Sequence, residues 1–247
     1  MSLVGALRRR APALPAPFRA NGIERPLTLV RHARARRLRL VVDPRDGSVR
    51  LTLPPRAALA PALAWVEARR GWVEAALAKL PQPLALVPGA TIPFAGGTLT
   101  IDWAADRPRT ASREGDRLLL GGPVEHVEAR ALRWLRRTAL ERLETETRAC
   151  AAAAAVTIAG VAVGDPKARW GSCTSAGAIR YSWRLILAPP DVLRATVAHE
   201  VAHRLHMDHS PAFHAAVARL FGRAPDAETR WLRAHGASLH RIGRAQA

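Results

Sequence analysis

The run His199-Glu200-Val201-Ala202-His203 constrains this chain more than any other stretch of it. Two histidines at i and i+4 of a helix lie about 40° apart around the axis and one turn along it. That spacing lets two imidazole nitrogens reach one Zn²⁺ at about 2.0–2.1 Å. Glu200, about 100° round from His199, is placed to act as general base on a water at the same ion. H-E-x-x-H is the helix signature of zinc hydrolases. The flanking residues agree with a helix. Leu193, Val197 and Val201 recur at i+4 and offer one face to a core, while Ala195, Ala198 and Ala202 are small and helix-favouring.

A catalytic zinc site takes three protein ligands and keeps one position open. His206, His209 and His214 are the candidates for the third. His206 lies about 10.5 Å beyond His199 on an unbroken helix, too far for one ion to join both. His209 comes within reach if the helix breaks first. Met207-Asp208 and Ser210-Pro211 supply such a break, through a turn-forming Asp and a proline that disfavours helix before it. Ligand geometry therefore favours His209 and leaves the other two as alternatives. The spacing equals that of the H-E-x-x-H-x-x-G-x-x-H metzincins, with His206 in the glycine's place.

Further residues carry a resemblance to a known family. Arg169-Trp170-Gly171-Ser172-Cys173, Trp183 to Pro190, His199 to His203 and His209-Ser210-Pro211-Ala212-Phe213 resemble the YgjP-like metallopeptidases, which are related to the SprT-like zinc proteases. Arg230-Trp231-Leu232 with His235-Gly236 is similar to the family's C-terminal end, and Arg36 to Pro54 is more weakly similar to its N-terminal β region. The resemblance implies a minimal zincin-type domain in which His199, His203 and His209 bind zinc and Glu200 is catalytic. Two positions depart from the family pattern: His214, where an aromatic residue is usual, and Asp208, where Asn is common. Neither is a proposed ligand.

The chain of 247 residues is long enough for one large domain or two small ones. Its formal charge of +18 is almost all arginine, since Lys79 and Lys167 are the only lysines. Solvated helix faces explain part of this, and attraction to nucleic acid or another polyanion is the functional alternative. One tyrosine in the whole chain gives little support for a single-strand stacking platform. Cys150 and Cys173 make no disulfide framework and read as packing residues. No apolar run is long enough to cross a bilayer, and Arg8-Arg9-Arg10 follow rather than precede the short apolar N-terminus. A cytoplasmic protein with no membrane partner is expected.

The expected fold class is α+β: an N-terminal antiparallel β region, then a minimal zincin-like domain with a three-stranded sheet and the H-E-x-x-H helix. Residues 1–22, rich in Ala, Pro and Arg, are expected as a mobile tail, 23–122 as the β-rich region with one helix, and 123–247 as the metallopeptidase domain. Hairpins are expected around Asp43 to Gly47 and around Gly96-Gly97, a helix over 57–80 interrupted at Gly71, and a long helix after Pro123. Strands are expected over 156–163, 168–173 and 179–185, and helices over 211–221 and 226–237. The sequence shows no internal repeat.

The leading expectation is a zinc metallopeptidase of the endopeptidase type, with one Zn²⁺ per chain, a zinc-activated water and Glu200 as general base. Arg169, Gly171 and Tyr181 are candidate substrate-binding residues, in strands along which an extended peptide could pair. Arg169, Tyr181 and His206 are candidates to stabilise the oxyanion. Two alternatives stand beside it. One is a metal-dependent nucleotide pyrophosphatase, a label given to relatives of the family, although no P-loop or Mg²⁺-type carboxylate cluster is present. The other is a non-catalytic nucleic-acid-binding zinc module, which leaves Glu200 without a role.

Overall fold

A computed structural model describes residues 14–243, and the N-terminal stretch before Leu14 lies outside the described residues. The chain forms two compact units that divide between Pro81 and Gln82. The first comprises strands β1 (Leu14–Ala20), β2 (Ile23–Arg31), β3 (Arg39–Val42) and β4 (Val49–Leu53), then helices α1 (Leu59–Glu67) and α2 (Arg70–Ala78). Its sheet order is β1-β2-β4-β3. On β4, Val49, Leu51 and Leu53 are buried while Arg50 is exposed, the period-2 pattern of a half-buried strand. Val66, Val73 and Leu77 of the helices complete that core.

The second unit holds β5 (Thr91–Phe94), β6 (Gly97–Trp103), β7 (Ser112–Glu114), β8 (Arg117–Leu120) and the long helix α3 (Val127–Ala153). Strands β9 (Gly160–Gly164), β10 (Gly171–Cys173) and β11 (Ala178–Ser182) come next, then α4 (Pro190–Ala202), α5 (Pro211–Phe221) and α6 (Asp226–Arg241). The class is mixed α+β, with several small sheets and six α-helices among the described residues. None of those helices is long and apolar enough to cross a membrane.

The two four-stranded sheets have the same topology, a repeat that the residues themselves do not display. The second has order β5-β6-β8-β7, and in each sheet an antiparallel hairpin is joined through a parallel pair, β2 with β4 or β6 with β8, to a second hairpin. The β region is therefore mixed rather than purely antiparallel. The first hairpin of each repeat turns on two residues with positive φ, Asn21-Gly22 and Ala95-Gly96, as a two-residue hairpin loop requires. The second turn is thus one residue earlier than the Gly96-Gly97 expected. Each sheet is succeeded by helix.

Three more expectations are corrected. Leu14–Ala20, assigned to the tail, pairs with β2 along its whole length. The single helix over 57–80 is two helices, broken at Ala68-Arg69 rather than at Gly71. The boundary at 122/123 is also displaced. Leu99, Ile101, Leu118 and Leu120 of the second sheet share one core with Leu135, Ala139 and Leu143 of α3, so the sheet and that helix belong to the same unit.

The small sheet of order β10-β11-β9 packs its edge strand β10 beside α4, the helix that bears His199 and Glu200. β10 is antiparallel to β11 and lies at an edge, and β9 is parallel to β11. Its flanks run differently from expectation. Helix α3 reverses through Ala155, a left-handed residue, and Val156 N–H bonds back to the Ala151 carbonyl at 3.0 Å, so β9 starts only at Gly160. Beyond Ser182 the expected strand becomes a buried 3₁₀ turn, Trp183–Leu187, in which the Ser182 hydroxyl accepts from Arg184 N–H.

Arg184, 2% exposed, ties these parts together. Its guanidinium forms a two-bond pair with Asp165 (2.7 and 3.0 Å) and donates to the carbonyls of Leu239 and Ile242 (2.6 and 2.8 Å). The end of α6 is thereby fixed to the turn that precedes α4. Arg184→Met removes all four bonds and leaves buried acceptors unpaired. It should cost about 3–5 kcal/mol of unfolding free energy, read from the urea midpoint. A loss below about 1 kcal/mol would mean that α6 is held by packing alone.

Candidate metal centre

Helix α4 is buried on nearly every side. Leu193, Val197 and Val201 face the main core, as their spacing predicts, and Ala198 and Ala202 pack against Phe213, Ala216 and Val217 of α5. The helix starts at Pro190, whose missing N–H costs nothing at that position. It ends at Ala202, earlier than the break expected near Met207, so His203 is its C-cap. A turn then carries the chain to Asp208, which accepts from Ser210 N–H at 3.3 Å, and the Ser210 hydroxyl caps α5 through Phe213 N–H at 3.4 Å. This reversal swings His209 back toward α4.

The three imidazoles of His199, His203 and His209 converge. Their ligand nitrogens all lie within 4.8 Å of one another, close enough to hold one metal ion. The Nε2 atoms of His199 and His209 are 3.3 Å apart. Two nitrogens bound to one tetrahedral ion at 2.0–2.1 Å would be about 3.3–3.4 Å apart, so this pair already has ligand spacing. His203 Nδ1 donates to the His206 carbonyl at 3.2 Å, which leaves its Nε2 lone pair for a metal. That contact gives His206 a backbone role, and its ring stands outside the ligand group. His214 also stands outside, with its ring 6.4 Å from that of His209.

Phe213 was not singled out by sequence reasoning as a site residue. It is fully buried, and its ring centre lies 4.9, 4.6 and 4.7 Å from those of His199, His203 and His209. One rigid aromatic thus sets the packing of all three imidazoles. The available signal was its position three residues after the capping Ser210, facing back along α5.

Glu200 is 4% exposed, on the side of α4 toward β10. A side-chain carbon at Gly171 would come within 2.6 Å of the Glu200 Cγ and Cδ. Gly171 was expected to admit a substrate backbone. The structure shows it admitting the carboxylate of Glu200. Arg169, Trp170 and Gly171 form one wall of a cleft of about 250 Å³, with Val192, Ala195, Thr196, His199 and Glu200 opposite, and Glu228, Thr229 and Leu232 from around α6. Trp170 lies in that wall, packed on Gly236 and on His240, whose ring centre is 5.1 Å away. Trp183, by contrast, is entirely core. Tyr181 does not reach the cleft. It is fully buried, its hydroxyl bonds Thr147 at 3.0 Å, and burial pushes its ionisation far above the ordinary range. It cannot serve as a substrate-binding residue or an oxyanion donor.

Burial also shapes the titrating groups. It raises the Glu200 carboxyl to about 7, against a smaller downward pull from Arg169. It lowers His199 to about 4, with help from His203, His209 and His214. His203 is lowered for the same reason. At neutral pH His199 is therefore neutral, as a ligand must be. A divalent cation at the triad would pull the nearby carboxyl back down. Both cysteines are free thiols that burial pushes up, Cys150 to about 11, which marks neither as a nucleophile.

These shifts have opposite consequences for the metal-free protein. His199 alone makes stability fall as pH drops from its ordinary 6.5 toward 4, because the unfolded chain takes up the proton first. Glu200 acts oppositely between 7 and its ordinary 4.5, because the folded chain takes up the proton first. The two effects oppose each other over their shared window. Glu200→Gln should therefore expose a steeper loss of stability below pH 6.5, seen in urea midpoints of chelated protein. Equal slopes in parent and variant would contradict this. Separately, Phe213→Leu should weaken metal binding by about 10–100-fold in chelator competition, whereas unchanged affinity would deny Phe213 its supporting role.

Residues 36–235 match the family model described as YgjP-like, metallopeptidase domain. Comparisons with curated proteins and with solved structures return no match. The match covers most of the chain, including the convergent histidines, Glu200 and the cleft wall at Arg169 to Gly171. This chain belongs to the YgjP-like metallopeptidase family.

Proposed function

We propose that the protein is a zinc-dependent metallopeptidase of zincin-like design, with His199, His203 and His209 as metal ligands and Glu200 as general base. The observation that carries this reading is the convergence of three imidazoles, one of which, His199, lines a cleft together with the buried Glu200 carboxylate. Three nitrogen donors suit a catalytic ion, whereas structural zinc normally fills all four positions with Cys and His. Cys173, the nearest thiol in sequence, instead donates to the Thr174 carbonyl at 3.3 Å.

When bound, zinc supplies a Lewis acid for the scissile carbonyl and lowers the pKa of a water toward about 7. Glu200 takes the proton of the attacking water and hands it to the leaving amine nitrogen. Its raised pKa and its position beside His199 in the cleft suit both halves of that transfer. Arg169 is the exposed cation lining the cleft next to Glu200, and it is the donor proposed for the carbonyl oxygen as charge develops there. An extended peptide is proposed to pair with the outer edge of β10, the edge strand whose Gly171 abuts Glu200.

The test is Glu200→Gln in protein whose metal content is measured alongside activity on an unfolded protein substrate. The reading expects unchanged metal binding and a loss of cleavage of at least about 10³-fold. Retained cleavage would remove Glu200 as the base. If nucleoside triphosphates were hydrolysed instead, and His199→Ala abolished that activity, the site would be a metal-dependent pyrophosphatase.

A further inference from the structure

Away from the metal centre, four arginines surround one cavity of about 430 Å³. Arg109, Thr110 and Ala111, just before β7, form one wall, and Arg130, Arg133, Trp134 and Arg137, on the first half of α3, form the other. No carboxylate lines it. Arg130, Arg133 and Arg137 share a single helical ridge, where like charges repel unless an anion lies between them. Among the described residues no ion pair engages Arg109 or Arg133, and Arg137 approaches Glu141 only to 3.8 Å.

The cavity has a fixed frame. Arg130 Nη1 donates to the carbonyls of Gly121 (2.6 Å) and Pro123 (3.1 Å), and the Trp103 indole N–H donates to the Gly122 carbonyl at 2.8 Å. A side chain at Gly121 would collide with the backbone of Arg107 and Pro108, so this glycine lets the loop before β7 close over the start of α3. At Gly122, with φ +75°, the two walls meet: a Cβ there would lie 3.2 Å from Arg109 Cγ and 3.1 Å from Arg130 Nη2.

We propose that this cavity binds phosphate groups. A phosphate carries up to two charges and three acceptor oxygens, which several guanidinium forks can satisfy together. A single carboxylate could neutralise only one of the four arginines. The chain's charge of +18 adds a long-range field that draws polyanions toward it. The site is separate from the metal centre. No residue that lines it also lines the cleft at His199 and Glu200. The source is either a free oligophosphate or the backbone of a nucleic acid, which share this chemistry.

The test titrates full-length protein with inorganic triphosphate and with a labelled single-stranded oligonucleotide. Two double variants are compared, Arg133→Gln/Arg137→Gln and Arg50→Gln/Arg219→Gln, which remove equal charge, the second pair from exposed sites elsewhere. The first pair should weaken phosphate binding by about 10-fold or more and the second by less than about 2-fold. Arg109→Gln, on the opposite wall, should also weaken it. If the oligonucleotide binds, triphosphate displaces it, and its log–log salt slope shallows by about 1.4 in the first pair, the source is a nucleic-acid backbone. Saturation by one triphosphate per chain with no oligonucleotide bound at these arginines identifies a free oligophosphate. Equal losses in both pairs, or no binding of either probe, would overturn the proposal.

Discussion

The contact between Gly171 of β10 and Glu200 of α4 is the constraint on which the rest of the site depends. The Glu200 side chain can occupy its buried place only because the backbone at Gly171 comes close with no side chain in the way. The same economy recurs around α4, where Ala198 and Ala202 let α5 approach and bring Phe213 beneath the imidazoles. Small residues on β10 and α4 thus bring an edge strand, the Glu200 carboxylate and the three converging imidazoles close together.

The triad is poised rather than relaxed. Three imidazoles whose nitrogens lie within 4.8 Å repel when protonated, and burial already disfavours the charged form of His199. A divalent cation bound by the three ring nitrogens would relieve this. The scaffold around them is rigid: Arg184 fixes α6 to the turn before α4, and Phe213 fixes the rings. Such preorganisation is what a catalytic site needs from its surroundings.

Much of the site is legible in the sequence because it rests on local chemistry. The i,i+4 histidines, the Asp208 and Ser210-Pro211 break and the N-capping serine each act through their own neighbours. Together they place His199, Glu200, His203 and His209 in one cluster. Features set by distant packing stay hidden. Tyr181 alternates along its strand like a cleft residue, yet its hydroxyl finds Thr147 of α3. Phe213 resembles any apolar helix residue until three rings meet over it. Ala155 ends α3 in a left-handed conformation that a glycine would have announced. The repeated sheet topology is carried by strand pairing, which the residues do not spell out.

The central claim is that three imidazoles, from positions 199, 203 and 209, hold one ion and leave a position for solvent. X-ray absorption at the metal edge of the purified protein tests this most directly. Three nitrogen donors and one oxygen donor at about 2.0–2.1 Å, in a four-coordinate shell, are expected. A shell containing sulfur, or fewer than three imidazole nitrogens, would contradict it.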